Sequence, residues 1–204
     1  MPDTAIQATG SDLPLIAGPQ SWRGEAQAGR GDWSCTFTSA DIAALDAALD
    51  GVRETDILAI DKAAFPLPGL SARLAGIRNE ILNGRGFFLL RGLPVERYST
   101  AEAARIFWGL GAHWGEAVSQ NGKGHVLGHV KDLGLDYADP LARGYQTSAR
   151  LPYHTDSSDM VGLLCLQTSK SGGLSSIVST TTVYNEMVKR RPDLAAVLMR
   201  PLYR

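Results

Sequence analysis

The densest cluster of polar side chains in the chain is the stretch Tyr153-His154-Thr155-Asp156-Ser157-Ser158-Asp159. In an extended backbone, residues two apart point to the same side, so His154 and Asp156 would present an imidazole nitrogen and a carboxylate oxygen to one point. This mixture is typical of non-haem Fe(II) sites, where two His and one carboxylate leave the remaining positions open. The spacing also fits a His that hydrogen-bonds a nearby Asp at a strand end, so the motif alone leaves both interpretations open.

The elements predicted after this cluster have boundaries marked by Gly, Ser, Thr or Pro. Apolar runs and alternation predict two strands joined by a Gly-Gly turn, and two helices follow. Cys165, inside the first strand, is expected to be a buried thiol. These elements are strands over 161–168 and 174–179, the turn 170–173, a helix from Thr181 or Thr182 to Lys189, and a helix whose first position is Pro192.

The elements predicted before the cluster are mostly helices with one apolar stripe each. They are a helix capped by Ser39 with Ile42, Leu45, Leu49 and Val52, a helix with Leu70, Leu74, Ile77 and Ile81, a buried strand over 86–92, and a helix with the capping box Ser99 and Glu102. A strand over 122–130 would place His125, Leu127 and His129 on one face, and a long loop over 132–150 follows. Helices, then β texture, then helices predict an α+β protein.

Several motifs follow one another in a fixed order over residues 79–198. They are the run 86–94 (Gly-Phe-Phe-Leu-Leu-Arg-Gly-Leu-Pro), Leu110-Gly111, Val118-Ser119-Gln120, H-T-D at 154–156, one strand, G-G-x-[ST] at 172–175, a second strand and a helix. This ordered set resembles the TauD/TfdA-like family, the taurine dioxygenase (clavaminate synthase-like) family. The set is much more specific than any one of its motifs.

The resemblance implies a fold, a reaction and roles for three residues. The fold would be α+β, with a double-stranded β-helix core (a cupin-like jelly roll) flanked by helices. The activity would be that of an Fe(II)- and 2-oxoglutarate-dependent dioxygenase that uses O2 to hydroxylate or desaturate a small organic molecule, with succinate and CO2 as co-products. His154 and Asp156 match the family's first two iron ligands. Ser175 matches the hydroxyl residue that hydrogen-bonds a carboxylate of 2-oxoglutarate.

The chain departs from the family pattern in one respect. The third iron ligand, a distal His, and the Arg that pairs with the far carboxylate of 2-oxoglutarate are not found in it. Arg200 and Arg204 fall too early for that Arg. His113, His125 and His129 precede the H-x-D motif and are expected to be structural or pocket histidines.

The expected domain organisation is simple. Residues 1–31 contain scattered Gly, Pro, Ser, Ala and Gln without periodicity, which predicts a flexible leader or a strand laid across a neighbouring surface. Residues 32–204 are expected to form a single TauD/TfdA-like domain that is incomplete at its C-terminal end, with the C-terminal strands absent.

Four residues near the motif are weaker candidates for contact with substrate. Gln120 and Asn121 follow a Gly-rich turn, and Arg150 and Tyr153 flank the proposed metal ligands. A polar loop that makes its own hydrogen bonds accounts equally well for the first pair, and the second pair could instead order the loop. Residues 145–147 are candidates for a lid.

Composition excludes several other classes of protein. The 204 residues carry a formal charge of -1, so no overall positive field favours nucleic acid or an anionic membrane. The 2 cysteines form no C-x-x-C motif, which excludes a disulfide framework and suits a reducing compartment. With no signal-peptide pattern at Met1, we expect a cytoplasmic protein with a small-molecule substrate, and the sequence leaves self-association open.

Two other functions compete with the oxygenase. One is a non-catalytic jelly-roll binding module, or an inactive fragment, that retains His154 and Asp156 but lacks the third iron ligand. The other is a metal-dependent hydrolase that uses His154, Asp156 and Asp159 around a Lewis-acidic ion, although the sequence offers no further ligands nearby.

Overall fold

The computed structural model describes residues 13–119, 124–138 and 144–201. Its internal contacts divide the chain into unit 1 (1–44, 69–94 and 168–204) and unit 2 (45–68 and 95–167). The helices and strands in chain order are α1 Gly24–Ala28, β1 Ser34–Thr36, α2 Ser39–Asp50, α3 Ser71–Asn83, β2 Leu89–Arg91, α4 Thr100–Ala112, α5 Thr180–Arg190 and α6 Pro192–Leu198. Short 3-10 helices lie at Ile57–Ala59, Val95–Arg97 and Gly144–Gln146.

The first turn of α2 is held by a reciprocal pair of side chains in unit 1. The Thr38 hydroxyl accepts a hydrogen bond from the Asp41 amide at 3.2 Å, and the Asp41 carboxylate accepts one from the Thr38 amide at 2.7 Å. The cap is therefore Thr38 and not Ser39, because only Thr38 lies three residues before an acceptor side chain. Arg73 of α3 pairs with the same carboxylate at 2.5 Å. The predicted apolar stripe of α2 is confirmed, since Ile42, Leu45, Leu49 and Val52 are buried.

Strands β1 and β2 form a parallel pair in unit 1, with Ser34 opposite Leu89 and Thr36 opposite Arg91. The strand predicted over 86–92 is thus confirmed over Leu89–Arg91, but the prediction that it is buried is wrong, since Leu89 and Arg91 are exposed in a ladder of two strands. Phe87 precedes β2, and its ring lies 5.2 Å from that of Trp22 and 5.8 Å from that of Trp33. This aromatic cluster packs beside the short ladder and adds stability beyond the area that it buries.

Helix α4 is the centre of unit 2. Its predicted capping box is confirmed, with the Ser99 hydroxyl accepting from the Glu102 amide and the Glu102 carboxylate accepting from the Ser99 amide. Ala103, Ile106 and Leu110 form its buried face. Gly109 lies on the same face, and the ring of Phe65 lies so close to it that a Cβ atom there would clash with the ring.

Polar side chains of α4 bind the backbone of the segment that precedes Phe65. Arg105 donates to the carbonyls of Val52 and Thr55, both at 3.2 Å. Trp108 Nε1 donates to the carbonyl of Ile60 at 2.8 Å. His113 Nε2 donates to the carbonyl of Phe65 at 2.9 Å, so His113 is one of the structural histidines that the sequence predicts.

The strands predicted over 161–168 and 174–179 are absent, as is the described part of the strand predicted over 122–130. These segments lack regular secondary structure, and β1 with β2 is the ladder found in the described part of the chain. The physical reason is that a strand is defined by its partner, and no described segment pairs with these three. Cys165 is exposed, not buried as predicted, since its segment lacks the sheet that would cover it.

The two C-terminal helices are confirmed close to their predicted bounds. Ser179 caps α5, because its hydroxyl accepts a hydrogen bond from the Thr182 amide at 2.9 Å. Pro192 is the first residue of α6, where its missing amide hydrogen costs nothing. Lys189 and Arg190 lie in the last turn of α5, where cations interact favourably with the helix dipole.

Residues 13–31 are the described part of the predicted leader. Within unit 1, residues 14–23 lie against α5 and accept hydrogen bonds from side chains of that helix. Across the described residues, every helix is too short or too polar to span a bilayer.

The contact between Gly109 and Phe65 generates a prediction about stability. Gly109→Ala would drive a methyl group into the Phe65 ring, so we expect the free energy of unfolding to fall by about 1–3 kcal/mol. Gly111→Ala is the matched control, because it lies on the same helix and has no atom within 4 Å of the new methyl group. The control should raise stability by up to about 1 kcal/mol through helix propensity. Urea denaturation measures both, and equal effects would contradict the close contact.

The buried carboxylate of Asp41 generates a second prediction. Hydrogen bonding from Arg73, and then from the Thr38 amide, lowers the pKa of Asp41 to about 2. A carboxyl group with a lowered pKa stabilises the fold above its unfolded-state pKa, and this stability is lost as the pH falls through the folded-state value. Between pH 5 and pH 2, the wild type should therefore lose about 2 kcal/mol more than Asp41→Asn. Chemical denaturation at a series of pH values measures this, and identical pH slopes would show that the ion pair contributes nothing.

Candidate functional site

The His-x-Asp motif lies in a segment of unit 2, 151–159, that is exposed along its whole length. Before it, the long loop is closed by a hydrogen bond from the Leu133 amide to the Gln146 carbonyl at 2.8 Å. The backbone of Gly144 then lies directly against Leu151, where a Cβ atom would clash with the Leu151 side chain. The start of the motif segment is therefore fixed by a side chain that packs on a glycine.

The end of the motif segment is fixed by a second glycine. Gly162 lies against the ring of Phe107 on α4, with a distance of 3.1 Å from its Cβ position to Phe107 Cζ. Between the two contacts, the Ser158 hydroxyl donates to the Met160 carbonyl at 3.2 Å and closes a short bend. Neither glycine contact was predicted. Gly162 is an isolated glycine within an apolar run, which indicates a close backbone approach but not its partner, whereas Gly144 lies between Arg143 and Tyr145 and gives no such signal.

His154 is oriented by its own backbone. Its Nδ1 donates a hydrogen bond to the Pro152 carbonyl at 2.8 Å. A carbonyl oxygen only accepts, so the proton of the neutral ring lies on Nδ1 and the lone pair lies on Nε2. The ring nitrogen that can bind a metal is therefore the one that faces away from this hydrogen bond, an arrangement typical of metal-binding histidines.

Asp156 is exposed and forms no hydrogen bond or ion pair with another described residue through its carboxylate. An exposed carboxylate without a cationic partner retains both oxygens for a ligand. His154 Nε2 and the Asp156 carboxylate thus match two of the three protein ligands of a non-haem iron site. Within the described residues, no group of three or more His, Cys, Asp and Glu side chains is placed to bind a metal ion.

Ser175 belongs to unit 1, whereas His154 and Asp156 belong to unit 2. It lies in the exposed segment 174–178, between a turn and the start of α5. The turn is closed by a hydrogen bond from the Ser169 hydroxyl to the Gly172 carbonyl at 2.9 Å. Gly172 and Gly173 both have positive φ values, 71° and 70°, which explains the Gly-Gly pair before Ser175.

The weaker candidates are placed as follows. Arg150 and Tyr153 are exposed and flank the motif in the same segment. Gln120 and Asn121 lie outside the described residues. The predicted lid, 145–147, overlaps the 3-10 helix Gly144–Gln146, whose end is closed by the Thr147 hydroxyl donating to the Gly144 carbonyl at 2.9 Å.

Comparison with known proteins identifies the family. Residues 53–203 match the taurine catabolism dioxygenase TauD, TfdA family. This match covers well over half of the chain, so the chain belongs to that family. The family is one of Fe(II)- and 2-oxoglutarate-dependent oxygenases with a cupin-like jelly-roll fold.

Two curated proteins are similar to the chain. FR-33289 synthase of Streptomyces rubellomurinus is 35% identical over 136 residues, which cover 66% of this chain and 40% of that protein. The taurine hydroxylase-like protein SAT17 of Stachybotrys chartarum is 30% identical over 187 residues, which cover 87% of this chain and 49% of that protein. The chain therefore spans half or less of the length of these relatives.

The exposure of the motif generates a prediction that separates function from folding. We expect His154→Ala and Asp156→Ala to change the free energy of unfolding by less than about 0.5 kcal/mol, because neither side chain packs against the core. Ile106→Ala, in the buried face of α4, should by contrast cost about 2–5 kcal/mol. Urea denaturation of the three variants measures this. A loss of 2 kcal/mol or more in either site variant would assign that side chain a structural role.

Proposed function

We propose that the protein is an Fe(II)- and 2-oxoglutarate-dependent oxygenase that hydroxylates or desaturates a small organic molecule. The observation that carries the proposal is the geometry of the motif: His154 Nδ1 bonds the Pro152 carbonyl and leaves Nε2 for a ligand, and Asp156 two residues later has no competing partner among the described residues. Family membership supplies the reaction class.

Each residue has a distinct proposed role. His154 Nε2 and a carboxylate oxygen of Asp156 bind Fe(II), and the Ser175 hydroxyl donates a hydrogen bond to a carboxylate of 2-oxoglutarate. When bound, iron and 2-oxoglutarate supply oxidation of the substrate by O2, with succinate and CO2 as co-products. Arg150 and Tyr153, exposed beside the ligands, are the proposed contacts for substrate. A charged group and an aromatic ring would orient a small polar molecule against the metal.

The proposed fold is the double-stranded β-helix. Residues 161–168 and 174–179 have the apolar composition of buried strands, yet Leu163 is 77% exposed and Leu174 is 96% exposed. Exposure of large apolar side chains to water is unfavourable, and packing in a jelly roll would bury them. We therefore propose that residues 32–204 belong to one such domain.

A non-catalytic binding module is the second candidate. It is favoured by one observation, that the described residues offer two ligands from one segment and no third. Two ligands hold Fe(II) weakly, because each protein ligand contributes separately to affinity. The distinguishing property is binding of 2-oxoglutarate that depends on the metal, which a non-catalytic module would lack.

The function is tested by anaerobic titration of the chain with Fe(II) and then 2-oxoglutarate, followed by visible spectroscopy. We expect a weak charge-transfer band that requires both additions. His154→Ala and Asp156→Ala should abolish it, because each removes an iron ligand. The coupled formation of succinate in air should be lost in the same two variants.

Asp159→Ala is the matched control for this experiment. Asp159 is an exposed aspartate three residues beyond Asp156, and the oxygenase assigns it no role. The control should retain the band and the succinate. A hydrolase built on His154, Asp156 and Asp159 would instead lose metal binding in all three variants and show no response to 2-oxoglutarate. Absence of the band in the wild type would favour the non-catalytic module.

A further inference from the structure

Residues 14–23 form a segment, here called the N-terminal clamp, that lies along α5 within unit 1. The side chains that bind it come from α5 and its capping residue. The contacts are Ser179 Oγ to the Gln20 carbonyl at 2.5 Å, Thr182 Oγ1 to the Trp22 carbonyl at 2.7 Å, Tyr184 Oη to the Pro14 carbonyl at 3.0 Å, Asn185 to Ile16, and Glu186 to Arg23 at 2.5 Å.

Asn185 makes three hydrogen bonds to the clamp, two to Ile16 and one from its Nδ2 to the Ser21 hydroxyl at 3.3 Å. Its Oδ1 accepts from the Ile16 amide at 2.8 Å, and its Nδ2 donates to the Ile16 carbonyl at 2.7 Å. Ser179, Thr182 and Glu186 are spaced three and four residues apart, so they share one face of the helix. The helix thus binds an irregular segment, which turns at Gly18 to Ser21, mainly through polar side chains that contact its backbone.

The clamp is also fixed on its other side. Trp22 Nε1 donates to the Arg85 carbonyl at 2.7 Å, and the Trp22 ring lies edge-on to Phe87. The clamp therefore connects α5 to the residues that lead into β2. A segment bound on two sides holds its helix in one position more firmly than a segment bound on one side.

Ser179 links the clamp to the Ser175 segment. It is only 6% exposed, and its hydroxyl accepts from the Thr182 amide while donating to the Gln20 carbonyl. Residues 171–178 before it are all exposed, so Ser179 is the first buried residue that follows Ser175. The Ser175 segment therefore ends, on its downstream side, at a buried residue that contacts the clamp.

We propose that the N-terminal clamp positions the Ser175 segment, and that Ser179 and Asn185 are positioning residues for 2-oxoglutarate. This inference rests on the proposed function, because it uses the role assigned to Ser175. It adds a requirement that the sequence motif does not contain, because the 2-oxoglutarate site would depend on residues far earlier in the chain. Gln20 and Ser179, which are in contact, are 159 positions apart.

The test uses the full chain with Asn185→Ala, which removes both bonds to Ile16. The matched control is Asn83→Ala, because Asn83 is an exposed helical asparagine of unit 1 whose side chain bonds only the side chain of Asn79 in the described contacts. Hydrogen exchange measures the clamp directly, over residues 13–23 and over the start of α5 at 179–183. Anaerobic titration with Fe(II) and 2-oxoglutarate measures the consequence.

In Asn185→Ala we expect faster exchange in both segments and an apparent Kd for 2-oxoglutarate raised about tenfold, with the affinity for Fe(II) alone unchanged. Asn83→Ala should match the wild type in all of these. Thr182→Val, which removes the bond to the Trp22 carbonyl and keeps the branched side chain, should shift the same quantities in the same direction. Ser175→Ala should weaken 2-oxoglutarate binding without changing exchange in 13–23.

Two outcomes would overturn the inference. One is exchange that rises over 13–23 but not over 179–183, which would show that the clamp binds α5 without holding its start. The other is faster exchange in both segments with an unchanged Kd for 2-oxoglutarate. Failure of the proposed function looks different, because the wild type itself would then give no response to 2-oxoglutarate while the exchange data still decide whether the clamp holds α5.

Discussion

Pairing of backbone amides and carbonyls is the constraint on which the structure of this chain depends. A helix pairs most of these groups within its own sequence, so α2, α3, α4 and α5 form from local sequence signals. A strand needs a second strand, and in the described residues only β1 and β2 find one another. The segments at 161–168 and 174–179 therefore keep their apolar composition without the regular structure that it predicts. Both flank the residues to which we assign chemistry.

The same constraint explains how the motif segment is held. With no ladder to fix 151–159, its position depends on contacts at either end, where Leu151 packs on Gly144 and Gly162 packs on Phe107. A Cβ atom at Gly144 would force the Leu151 side chain to move, and one at Gly162 would be tight against Phe107. Between them, the side chains of His154 and Asp156 are exposed, and within the described residues one hydrogen bond, to the Pro152 carbonyl, orients the imidazole. Side chains placed in this way contribute little to folding.

Local signals in the sequence predict the helices well, because each helix depends on neighbours a few residues away. The capping box of Ser99 with Glu102 and Pro192 at the start of α6 are examples. The predicted cap of α2, Ser39, is one residue too late. Ser39 and Thr38 both carry a hydroxyl group, and only the Asp41 carboxylate distinguishes them. For the site, the spacing of His154 and Asp156 and the Gly-Gly pair before Ser175 are visible in the sequence. The partners of Gly109, Gly144 and Gly162 are not, because they depend on tertiary contacts.

The least predictable feature is the set of contacts between residues 14–23 and α5. The polar residues Ser179, Thr182 and Asn185 indicate an exposed helix face when they are considered by periodicity alone. In the structure they bind backbone groups of a segment that lacks any periodic pattern of its own. Recognition of a backbone leaves no signature in the side chains of the segment that is recognised, so a composition rich in Gly, Pro and Ser describes the leader without showing its role. Ser175 lies four positions before a buried cap that contacts residues 14–23. The positioning role that we propose for this segment is therefore not visible in the motif that contains Ser175.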